Sequence, residues 1–189
     1  MCGAFLCANS LAPDAFSTFA GELFPMKYRD LAIEELEEVK DEFVKFLASN
    51  SITSEDWLKL KKAEPEKAHT LISIFSDLFW EKVLDRISFA ELRTPKDIRI
   101  FKFGAEALEM IHMTIKHPDF DFTNGDNIQA LSTEKVDINE LEPELFTGSK
   151  KYESNKKRAL FEILENGARP CTEALYLSWK KLIKSKTTT

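Results

Sequence analysis

The sequence predicts an α+β fold, mainly helical, of about five helices with a small antiparallel β element. Three observations carry this reading. Apolar residues recur at three- and four-residue spacing along most of the 189-residue chain. The period shortens to two over one stretch in the middle. A composition of 43% apolar and 31% charged residues suits an ordinary globular core.

The first helix is read from MKYRDLAIEELEEVKDEFVKFLASNS, where Leu36, Val39, Phe43, Phe46 and Leu47 form a stripe and Glu34, Glu37, Glu38, Asp41 and Glu42 occupy the opposite side. A Ser/Thr-rich break follows, and Ser54 is the expected N-cap of SEDWLKLKK. Pro65 suits the first turn of the next helix, expected over 65–86 and the most buried, with Ala68, Leu71, Ile72, Phe75, Leu78, Phe79 and Val83 inward. DIRIFKF then alternates, as does EMIHMTIK after Gly104, which predicts two antiparallel strands. GAEALEMIHM also admits a short helix. HPDFDFTNGDN reads as turns, and EKVDINELEPELFTGS as an acidic segment interrupted by Pro143 and ended at Gly148. Two helices close the chain. SNKKRALFEILENG runs from Ser154 to the stop at Gly167, and TEALYLSWKKLIKSK carries Leu175, Trp179, Leu182 and Ile183 inward.

Charge is unevenly spread: residues 101–148 carry 3 basic and 10 acidic side chains, and residues 149–189 carry 10 basic and 4 acidic ones. Residues 1–25 contain no Lys or Arg, have no clean period, and are expected to be a non-native or disordered extension, with Met26 as the natural start. Residues 26–185 are expected to form a single globular domain, and 186–189 a frayed tail. No apolar run approaches the ~20 residues of a spanning helix, so no membrane partner is expected. Three cysteines, Cys2, Cys7 and Cys171, give no disulfide framework and suggest a cytoplasmic location.

Several candidate chemistries fail on their own requirements. Cys2-Gly3 resembles the start of N-terminal-nucleophile amidotransferases and of the domains that crosslink abasic DNA. The strand-rich pattern of both folds is missing, however, as are the amidotransferases' downstream motifs. His69, Ser73 and Asp77 lie one helical turn apart, but a triad needs His between the other two. In the 117–127 turn, Asp119, Asp121, Asn124 and Asp126 miss the calcium-loop register, because Gly125 falls one place late and Ala130 stands where a bidentate acid is required. His117 with Asp119 and Asp121 leaves an adventitious hard-metal site as the alternative to an Asx-rich turn. No glycine spacing fits a phosphate loop. No cofactor, metal or catalytic residue is expected.

Two surfaces remain. Lys156, Lys157 and Arg158 stand in the first turn of a helix, where the dipole disfavours cations, so an RNA phosphate held among them, Lys150 and Lys151, with Tyr152 stacking on a base, would compensate. The bland reading is a solvated surface. Glu34, Glu38 and Glu42 form an acidic face for a protein partner. The leading expectation is a non-catalytic protein-interaction module, with an RNA- or ribosome-associated protein as the alternative.

From Met26 onward the chain resembles a family of small, uncharacterised bacterial proteins. The resemblance rests on MKYRDL, EELEEVKDEFVKFLASNSITSEDW, FSDLFWEKVL, FDF and FTGSKKYESNKKRALFEILENGA, ending near ALY at 174–176. Some members carry the label histidyl-tRNA synthetase. This chain is too short for that catalytic domain and lacks its Arg- and Gly-rich motifs. The resemblance brings no catalytic residues with it.

Overall fold

The computed structural model describes residues 27–133 and 135–187, so the readings on Cys2, Cys7 and the 1–25 extension lie outside the described residues. Among those described are seven helices and a five-stranded antiparallel sheet. The α+β class stands, with more helices than about five and a larger sheet than two strands. The chain divides into two compact units, with the division in sequence between Leu78 and Phe79.

The first unit holds α1 (Ile33–Glu38), α2 (Lys40–Ser49), α3 (Ser54–Ala63) and α4 (Pro65–Leu84) as far as Leu78. The expected first helix is therefore two. Val39 leaves helical geometry at φ −107° and ψ 25°, and the break separates a turn with no buried residue from one that buries Phe43 and Leu47. Thr53, not Ser54, caps α3: its hydroxyl accepts the Asp56 N–H, while Asp56 Oδ2 accepts the Thr53 N–H, a reciprocal capping box. Aromatic rings fill the core. Phe43 meets Trp57 at 5.4 Å and Phe75 at 5.0 Å between ring centroids, both edge-on, the arrangement ring quadrupoles favour.

The polar row on α4 has a structural task. Asp77 accepts the backbone N–H groups of Lys27 and Tyr28 at 3.1 and 3.0 Å. Ser76, fully buried, accepts the Leu31 N–H at 3.0 Å and donates to the Ile72 carbonyl at 2.8 Å. Residues 27–31 are thus strapped along α4, with Tyr28 and Leu31 buried. His69 lies 3.2 Å from the Ser73 hydroxyl and 3.5 Å from Asp30, while Asp77 is spent on the strap.

The second unit is built on the sheet, in the order β4-β3-β2-β1-β5. Its strands are β1 (Phe89–Arg93), β2 (Asp97–Phe103), β3 (Ala107–Thr114), β4 (Glu144–Lys151) and β5 (Arg169–Pro170). Its helices are α5 (Gly125–Ser132), α6 (Lys156–Glu165) and α7 (Glu173–Thr187). The two alternating segments pair as β2 and β3, so the helical option for 104–113 is discarded. Alternation puts Ile98, Ile100, Ile111 and Met113 on one face, in a core with Phe120, Phe122, Ile138, Leu141, Tyr176 and Trp179. Phe101 and Phe103, pointing to the reverse face, are buried as well. Asn155, one place beyond Ser154, caps α6 by accepting the Arg158 N–H, and Gly167 ends that helix at φ 91°, a conformation glycine tolerates. No helix among the described residues is long and apolar enough to cross a membrane.

Removing the Ser76 hydroxyl would leave the buried Leu31 N–H without its acceptor. Ser76→Ala is expected to lower unfolding free energy by about 1–3 kcal/mol, measured by denaturant titration.

Candidate functional site

The segment read as an acidic loop ending at Gly148 is β4, an edge strand. Its inner side pairs with β3 from Glu144↔Thr114 to Lys151↔Ala107. Among the described residues no strand and no other backbone bond meets its outer side. An eight-residue strand with a free edge is a template for another strand. Phe146, at 51% exposure, stands on the reverse face beside His112, with ring centroids 5.7 Å apart. Next to it Gly148 has no neighbour within 4 Å of where a Cβ would sit.

On the opposite side of β4 lies an open groove of about 450 Å³, lined by Glu109, Ile111, Thr147, Ser149, Tyr176 and Lys180 among others. Glu109 organises it. Its carboxylate accepts from Lys102 at 2.8 Å and from the Tyr176 hydroxyl at 2.9 Å, with Lys180 at 3.6 Å. Both ammonium groups also stand over the Tyr176 ring, at 5.9 and 5.4 Å. The Lys102 bond, then the Tyr176 bond, hold the Glu109 carboxyl below its ordinary value. Burial, reinforced by Glu109, pushes the Tyr176 phenol up to about 12. These four share no sequence motif: a lysine such as Lys180 suits the later turns of a helix on dipole grounds alone, and only the pairing of β2 with β3 brings Lys102 opposite Glu109.

The basic cluster is spread over two elements. Lys150 and Lys151 end β4, and Lys150 is paired with Glu153. Tyr152 donates to the carbonyls of Gly104 and Ala107 at 2.9 and 3.1 Å, which fixes its phenol on the β2–β3 turn. Lys156, Lys157 and Arg158 do open α6. Lys157 reaches Glu81 at 2.5 Å and Asp85 at 2.8 Å, and Arg158 reaches Glu162 at 2.8 Å. Those acids hold the Lys157 ammonium well above the ordinary lysine range, with Asp85 the larger influence. They also offset the dipole cost that made the cluster conspicuous. Glu34, Glu38 and Glu42 are exposed on α1 and α2.

The 117–127 turn is organised by the protein's own cation. Lys96 Nζ donates to the carbonyls of His117, Pro118 and Phe120 at 2.8, 2.8 and 2.7 Å. Asp121 accepts both the N–H and the hydroxyl of Thr123 at 2.6 Å, an Asx turn, and Asn124 caps α5. Among the described residues no group of three His, Cys, Asp or Glu side chains is placed to hold a metal ion. Cys171 is half-buried, and desolvation raises its thiol to about 11, which disfavours the thiolate.

Two outcomes follow from these contacts. Lys96→Met is expected to destabilise the protein by about 1–3 kcal/mol, read by denaturant unfolding, with no recovery on adding calcium. Because the folded Glu109 carboxyl titrates below its unfolded value, its contribution is complete above the unfolded value and is lost as pH falls through the folded one. Glu109→Gln should therefore be less stable than the parent at about pH 7, with the gap closing as pH falls through the folded carboxyl's lowered value.

No curated protein and no solved structure matches the chain. Residues 26–184 match a family described as a family of unknown function, DUF6495. The match begins at the MKYRDL motif and takes in both units, the edge strand and the groove beside it, and the chain belongs to that family.

Proposed function

We propose that this domain is a non-catalytic binding module that docks another polypeptide by strand addition along the outer edge of β4. The single observation that carries the reading is that edge, open along eight residues. Strand addition takes its affinity from main-chain hydrogen bonds and its specificity from the side chains on either face. Here one face offers Phe146, and the other offers the groove organised by Glu109. A protein partner is favoured over RNA because Lys150, Lys157 and Arg158 already hold carboxylates that a phosphate would have to displace.

Proline tests the edge directly, since it removes one backbone N–H. Neighbouring residues point their N–H groups to opposite sides of a strand, so one of Thr147→Pro and Gly148→Pro spares the β3 ladder. That variant keeps the parental unfolding midpoint and is expected to lose about tenfold or more of its affinity for the partner, the equivalent of one or two hydrogen bonds. The measurement is quantitative pull-down from native extract with the C-terminally tagged full chain, repeated with nuclease and added salt. Binding that survives the edge variant but is lost in the triple change Glu34→Lys, Glu38→Lys, Glu42→Lys would move the docking surface to the acidic helices and overturn the edge reading. Binding that disappears with nuclease would overturn it in favour of RNA.

A further inference from the structure

Resting on the edge reading, we infer that the strand added to β4 is the β4 of a second copy of this chain. The argument is self-complementarity. Two copies joined edge to edge as a continuous antiparallel sheet are related by a two-fold axis perpendicular to it, so one residue must face itself. When that residue is Thr147, Glu144 faces Lys150 of the other copy, Leu145 faces Ser149, and Phe146 faces Gly148. Acid meets cation at both ends of the seam. Glu144 and Lys150 point to the same side of the sheet, as cross-strand partners must, with side chains 50% and 71% exposed. The acids and cations they now touch, Lys116 and Glu153, lie at the rim and would join a four-membered network.

The middle of the seam fits as well. Phe146 is half exposed, and the glycine it would face has open space where a side chain would be. An aromatic ring laid over a cross-strand glycine covers the backbone that glycine leaves bare. Shifting the centre to Phe146 puts Glu144 against Gly148, and shifting it to Gly148 puts Phe146 against Lys150. Only the Thr147 register satisfies charge and shape together.

The test uses the full chain in light scattering and sedimentation over about 1 to 100 micromolar, a range that brackets micromolar association. The parent is expected to dimerise. Glu144→Lys and Lys150→Glu should each weaken the dimer by about tenfold or more, since each reverses two pairs per seam, and the double exchange should restore it. In a background with Cys2, Cys7 and Cys171 changed to Ser, Thr147→Cys should form an intermolecular disulfide, because facing residues in antiparallel strands approach within disulfide reach. A dimer indifferent to both reversals and without the Thr147 crosslink uses another surface and overturns the inference. A strict monomer whose partner binding is still lost on the folded proline variant overturns the second copy and leaves the edge reading standing. A strict monomer whose binding ignores that variant removes both.

Discussion

A slip of one residue between β2 and β3 would put Ile98 and Ile100 on the opposite face from Ile111 and Met113, splitting the core the two strands share. The larger unit depends on that register being fixed. Gly104 helps to fix it: its N–H donates to the Ala107 carbonyl at 3.0 Å, and a Cβ there would sit 3.0 Å from the same oxygen. Tyr152 then holds the carbonyls of Gly104 and Ala107 together from the end of β4. The turn that sets the register is thus locked by the residue that follows the edge strand, and the groove at Glu109 inherits its geometry from the same lock.

How much was legible follows from which signals are local. β2 and β3 alternate because one face carries the core residues Ile98, Ile100, Ile111 and Met113, and the pattern breaks at Phe101 where the reverse face is buried too, while α4 and α7 show stripes because each buries one side. β1 went unread because Phe89–Arg93 is short and carries a charge in its middle and another at its end. β4 went unread because it lies at the edge and is almost wholly exposed, so nothing selects alternation, and Gly148 with its lysines imitates a loop. The cap positions were displaced by one residue at Thr53 and Asn155, an ambiguity inherent in adjacent Thr-Ser and Ser-Asn pairs. The candidate surface was the least legible part, since an open edge is a property of topology, and four residues scattered from Lys102 to Lys180 share no motif.

The uneven charge of the sequence has a structural counterpart. Cations of the basic C-terminal stretch meet acids from earlier in the chain, Lys180 at Glu109 and Lys157 at Glu81 and Asp85. Pairs open to solvent, such as Lys180 with Glu109, contribute little individually. Their effect is on placement: each sets an α6 or α7 side chain against a particular partner, and like charges in those places would oppose that arrangement. At the start of α6, Lys157 finds its counter-charges within the chain.

The strap along α4 bears on the order of events in folding. The Leu31 N–H and its Ser76 acceptor are 45 residues apart, and the Asp77 contacts span 49 and 50. Seating residues 27–31 therefore closes a long loop whose entropy is offset only after α4 exists to receive it. Contacts of that separation are expected to form late, and Ser76→Ala is then expected to accelerate unfolding while leaving the folding rate nearly unchanged. Two neighbouring side chains on one helix thus tie down a segment some 45 to 50 residues away in sequence, a constraint that no alternation of apolar residues along the chain encodes.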